Sequence, residues 1–127
     1  MMMKYLLMLL LVSLWGHSAS AQSVGTPVTS PKLDSLAKLS QQFINANQPD
    51  SLYSLMGAAF KQQVSLNKLK EVMSQLSGQV GKWTGLEPQS VTNGIARYKA
   101  VFAVMPLDFY ISQDKQGQIE TFLLKPL

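Results

Sequence analysis

The chain has no cysteine and a single histidine, His17. Without cysteine there is no thiolate nucleophile, no disulfide and no thiolate metal site. His17 lies inside an N-terminal segment that reads as an export signal, so the mature protein would carry no imidazole either. That excludes Ser-His-Asp and Cys-His relays and histidine metal centres. Charge is also sparse, at 14% of residues. Lys4 would leave with the signal, so eleven cations become ten against seven carboxylates, a balance of +3. Long apolar runs are short of what a bilayer needs: Tyr5 to Trp15 is eleven residues broken by Ser13, against the ~20 of a spanning helix.

Met1–Lys4 form a positive start, Tyr5–Trp15 an apolar centre, and Gly16 leads into a small polar stretch ending Ala19-Ser20-Ala21. This three-part layout predicts a cleaved signal peptide over 1–21, with cleavage before Gln22. No cysteine follows the apolar run, so the expectation is a secreted or periplasmic protein, not a lipoprotein, with no stable membrane span after cleavage. Residues 22–32 open with QSVGTPVTS, which has no helical or alternating period, and read as a flexible lead-in. Residues 33–127 form one α+β domain.

Three helices are predicted first. Ser30-Pro31 provides a cap and a first helical position, and Leu33, Leu36, Ala37, Ser40, Phe43 and Ile44 make one stripe ending near Asn47. Leu52, Leu55, Met56, Ala59 and Phe60 mark a second helix that Gly57 could split. Ser65 caps a third, with Leu66, Leu69, Val72, Met73 and Leu76 on one face and an end at Ser77-Gly78. After Gly81 the period changes to two, and β-branched and aromatic residues dominate. Strands are predicted over 82–91, 95–105, 107–112 and 118–125, divided by Asn93-Gly94, by Pro106 and by Gln113-Asp-Lys-Gln-Gly117. The fold class is therefore α+β, with three N-terminal helices packed on one face of a curved four-stranded antiparallel meander.

Strict alternation puts Tyr98, Ala100, Phe102, Val104, Leu107, Phe109, Ile111, Ile119, Thr121 and Leu123 toward the helices. The opposite parity mixes Arg97, Lys99, Asp108 and Glu120 with Val101, Ala103, Tyr110, Phe122 and Leu124. Those five apolar residues make a patch that a solvated sheet face does not require, and they are the interface candidates.

Helices followed by a meander, with Phe43, Phe60, Leu69 and Gly81, then Tyr98-x-x-x-Phe102, Leu107-x-Phe109-x-Ile111, Asp114-x-x-Gly117-x-Ile119 and Pro126, resembles the nuclear-transport-factor-2-like branch of the cystatin-like α+β folds. More narrowly, it is similar to a bacterial domain family of unknown function, found alone after a signal peptide or N-terminal to exported serine hydrolases. The resemblance covers residues 33–127. It implies a nuclear-transport-factor-2-like roll and, because its motifs are core and turn positions, no catalytic residue to transfer. Enzymes of this superfamily can pair a carboxylate base with a phenol donor between helices and sheet, which would point to Tyr98 or Tyr53. No carboxylate falls on the inward parity of the strands.

Ser35-x-x-Lys38 and Ser65-x-x-Lys68 match the nucleophile motif of penicillin-recognising enzymes, but the partner tripeptides S-D-N and K-T-G do not occur. Gly78-Gln-Val-Gly-Lys82 is too short for a phosphate loop and follows a helix instead of opening one. Arg97 and Lys99 flank Tyr98 from the opposite face, which defeats a nucleic-acid stacking platform; they read as a solvated pair answered by Glu120. The carboxylates lack calcium-loop spacing, so neither a metal nor a cofactor is implied.

The residues lead to an exported, non-enzymatic accessory or binding module that uses the outer sheet face, through Val101, Ala103, Tyr110, Phe122 and Leu124, to form a homodimer or bind an envelope protein. The alternative is a small-molecule-binding or isomerase-like domain holding a small apolar ligand in an inner cavity lined by Tyr53, Met56, Phe60, Met73, Tyr98 and Phe102. Neither reading involves nucleic acid.

Overall fold

The computed structural model describes residues 30–127; the expected signal peptide and the lead-in up to residue 29 lie outside the described residues. The chain order is α1 (Pro31–Asn45), α2 (Pro49–Ser54), α3 (Ala58–Gln63), α4 (Leu66–Val80), β1 (Trp83–Thr92), β2 (Ile95–Phe102), β3 (Pro106–Gln113) and β4 (Ile119–Pro126). The strands form one antiparallel sheet in the order β1-β2-β3-β4. The α+β class and the four-stranded meander follow the sequence reading.

Local chemistry sets the helix boundaries. α1 begins with Pro31, whose missing N–H costs nothing in a first turn, but Ser30 makes no capping bond with its side chain. α1 ends on a left-handed Asn47 at φ 55°, with the Asn47 N–H donating to Ile44 O and the Gln48 N–H to Phe43 O. These two bonds satisfy carbonyls the helix leaves open. The predicted second helix is two short ones, because Gly57 interrupts it as N-cap of α3. Its N–H donates to Ile119 O at 2.8 Å, and Ile119 N–H donates to Leu55 O at 2.8 Å, so the α2–α3 link pairs with the start of β4. A Cβ on Gly57 would run into the Asp114 carboxylate and lie 3.3 Å from Ile119 O. Ser65 caps α4 as predicted, its Oγ accepting from Lys68 N–H at 3.1 Å. α4 continues through Gly78 to Val80, beyond the predicted stop.

The β1–β2 link is Asn93-Gly94, both at positive φ, the pair that a tight hairpin with right-handed strand twist requires. β2 ends at Phe102, short of the predicted Met105. Ala103 N–H turns to Lys82 O and Val104 N–H to Val80 O, which ties the β2–β3 loop to the α4–β1 connection. Val104, expected inside, is 67% exposed. The sheet's free edges are blunted: β1 carries Pro88 and two register shifts, and the α2–α3 link covers the start of β4.

One irregularity inverts a whole strand. Ser112 pairs with Thr121, but the next residue, Gln113, pairs with Ile119, so Glu120 is an extra residue in β4. Past this bulge the parity reverses, because a one-residue shift sends each side chain to the other face. Phe122 (2% exposed) and Leu124 (9%) therefore point into the core, opposite Ile111 and Phe109, while Thr121 and Leu123 turn outward. Their assignment to the outer interface is corrected accordingly.

A single apolar core lies between the helices and the inner sheet face, from Leu33, Ala37 and Ile44 on α1 to Phe102, Phe109, Ile111 and Phe122 on the strands. Phe122 meets the rings of Phe109 at 5.0 Å and Phe60 at 6.5 Å, both edge-on, and Trp83 stacks on Phe102 at 5.0 Å. Asn45 fixes α1 to the sheet: its amide donates to Trp83 O at 2.8 Å and its carbonyl accepts from Trp83 N–H at 2.9 Å.

Candidate binding surface

The inner face carries the residues named for a ligand cavity. Met56, Phe60, Met73, Tyr98 and Phe102 are buried members of the apolar core, and Tyr53 packs against it half-buried, its hydroxyl donating to Val64 O at 2.8 Å. These side chains build the core between helices and sheet, where Met and aromatic side chains act as filler.

Tyr98 does have a carboxylate partner, contrary to the sequence expectation. Its phenol donates to Asp34 Oδ1 at 2.5 Å. The acid arrives from the first turn of α1, not from a strand, so strand alternation could not reveal it. The usable signal was helical: Asp34 borders the Leu33–Ala37 stripe and faces the sheet. Burial first, then the hydrogen bond to Asp34 and its charge, push the Tyr98 phenol well above its ordinary value of 10.0. The phenol thus stays a proton donor at any physiological pH. Its single donor is spent on Asp34, and the pair ties α1 to β2 as a polar strut.

The outer face holds a second polar constellation. Asp108 on β3 lies opposite Lys99 on β2 and Lys125 on β4, with Arg97 and Tyr110 opposite each other two residues along. The Arg97 fork grips Asp108, Nε to Oδ1 at 3.1 Å and Nη2 to Oδ2 at 3.2 Å. The carboxylate side chain is 8% exposed and the guanidinium side chain 44%. This bidentate contact, with the negative charge of Asp108, raises the Arg97 pKa further. It also corrects the expectation that Glu120 answers Arg97: Glu120 sits in the β4 bulge, three residues before Leu123, the β4 residue in line with Arg97 and Tyr110.

Tyr110 is half-buried between cations, with the Arg97 guanidinium carbon 5.9 Å and Lys125 Nζ 5.3 Å from its ring centre. Val101 and Leu123 lie half-buried on the same face. Of the five predicted interface residues, the structure therefore keeps Val101 and Tyr110 on the outer sheet face. Ala103 is exposed but sits in the β2–β3 loop, and Phe122 and Leu124 are inside. Leu123 is the residue that sequence reasoning missed; only the bulge brings it out.

The ring contacts and hydrogen bonds that join helices to strands all run to the inner face, through Asp34 to Tyr98, Asn45 and Gln41 to Trp83, and Phe60 to Phe122. Among the described residues there is no group of three or more His, Cys, Asp or Glu placed to hold a metal, and no helix long and apolar enough to cross a membrane. No protein-family model, curated protein or solved structure matches this chain.

Proposed function

We propose that this chain is an exported, non-enzymatic binding module with a nuclear-transport-factor-2-like roll, and that the outer face of its sheet is the docking surface for a second copy or for a protein partner. The observation that carries the reading is Tyr110, held half-buried between Arg97 and Lys125 with Leu123 opposite it on β4, and Val101 further along β2 on the same face, away from the helices. Aromatic and arginine side chains on a common surface are the residue types that dominate association energies. The blunted strand edges favour association through the face over edge-to-edge pairing. The inner constellation supports a stabilising role: Tyr98 donates to Asp34, and the residues around it form the core.

Because the chain has no native cysteine, one introduced thiol reports on one place. A nitroxide on Leu123→Cys should lose mobility in concentrated protein or in an extract of the producing cells, while the same label on Lys70→Cys of α4 stays free. Equal, unrestricted mobility at both positions under every condition removes the reading.

A further inference from the structure

We infer that the outer sheet face is built for an acidic protein segment, one that brings two or more carboxylates to Lys99 and Lys125 on the two strands that flank Asp108. This rests on the docking-surface reading above and adds the partner's chemistry.

Three cations, Arg97, Lys99 and Lys125, stand on the strands flanking one carboxylate, Asp108. Arg97 takes both oxygens of that carboxylate. Lys99 and Lys125 face Asp108 from the two neighbouring strands, yet neither forms an ion pair among the described residues. Glu87 stands opposite Lys99 on β1 and is also outside ion-pair range. The face therefore keeps two uncompensated cations around an already satisfied Asp–Arg pair. Arg97 already balances the single negative charge of Asp108. The charge needed to complement the face has to come from outside.

Spacing and surroundings decide what kind of anion fits. Lys99 and Lys125 are two strands apart, a backbone separation on the order of 10 Å. Carboxylates on alternate residues of an extended chain recur about every 7 Å, a span that two flexible lysine stems can match. Beside Lys125 the same face continues over the Tyr110 ring, 5.3 Å from Lys125 Nζ, and over Leu123 opposite that ring, a stretch that suits side chains and backbone of a peptide better than a layer of headgroups. Exposed Glu87 on the same face would oppose a uniformly anionic bilayer but leaves room for a localised acidic segment.

The test measures binding of a dye-labelled hexaglutamate peptide to the protein as purified from cells, by fluorescence anisotropy at low salt, with hexaglutamine and phosphatidylglycerol vesicles as comparison ligands. We expect hexaglutamate to bind about tenfold tighter than hexaglutamine, and 0.5 M salt to remove most of that preference. The double variant Lys99→Gln/Lys125→Gln should weaken hexaglutamate about fivefold or more, whereas Lys68→Gln/Lys70→Gln on α4 should change it less than about twofold. Both pairs are lysines outside the core, and circular dichroism checks that each variant is folded. Equal affinity for hexaglutamine, an equal loss in the α4 variant, or vesicle binding without hexaglutamate binding each overturns the inference. If the peptide fails while the Leu123 label is still immobilised, the acidic chemistry is wrong and the docking face stands; if both fail, the docking face falls too.

Discussion

Replacing Phe122 by alanine probes the bulge at Glu120, because the bulge alone decides whether that ring is in the core or on the surface. In the structure Phe122 is 2% exposed and touches the rings of Phe60 and Phe109. Removing a buried phenylalanine ring costs about 3–5 kcal/mol, made up of lost transfer energy and the cavity left behind. A domain of this size has a total stability of roughly 5–15 kcal/mol, so the variant loses a large share of it. With a urea slope of about 1.5 kcal/mol per molar, the unfolding midpoint should fall by roughly 2–3 M. Leu123→Ala, one residue on and outward, should stay within about 1 kcal/mol. Deleting Glu120 should keep a cooperative transition, since it removes the extra residue and leaves Phe122 and Leu124 inward. If Phe122→Ala costs less than about 1 kcal/mol, or Leu123→Ala costs more than Phe122→Ala, β4 has no bulge there and the face assignment is refuted.

The remaining predictions concern single contacts. The folded-state pKa of Tyr98 is raised, so its contribution is complete below pH 10 and declines as pH climbs above that value, where the unfolded chain ionises first. Urea melts between pH 8 and 11.5 should show this decline, and Tyr98→Phe should flatten it. Gly57→Ala should destabilise by about 1–3 kcal/mol because its Cβ meets Asp114 and Ile119 O, whereas Gly78→Ala, with nothing within 4 Å, should stabilise by about 0.5–1 kcal/mol. The opposite signs are readable in one set of thermal melts. Ser65→Ala should cost about 1 kcal/mol through the lost cap on Lys68 N–H.

Much of this fold was legible because its signals are local. Asn93-Gly94 specifies its hairpin, Ser65 its cap, and the apolar alternation of Tyr98, Ala100 and Phe102 on β2 and of Leu107, Phe109 and Ile111 on β3 places both strands correctly. What stayed hidden depends on contacts between distant residues. The bulge at Glu120 carries no composition of its own: Ile119-Glu-Thr-Phe-Leu-Leu124 alternates plausibly in either parity, and only pairing with Ser112 and Gln113 chooses one. The Tyr98–Asp34 contact spans 64 positions and joins a helix to a strand, so neither period marks it. The candidate surface was legible in part for the same reason. β2 and β3 gave Val101, Tyr110, Arg97 and Lys99, while β4 exchanged Phe122 and Leu124 for Leu123 and placed Lys125 beside the Tyr110 ring.

The outer face is the centre of the functional account, and a photo-crosslinking residue at position 110 in the producing cell tests it most directly. Substituted for Tyr110, it should give one discrete covalent product, identified by mass spectrometry as either a second copy of the chain or one recurring protein, while the same residue at Lys70 on α4 gives none. No product from position 110, or the same spread of products from both positions, would contradict the account.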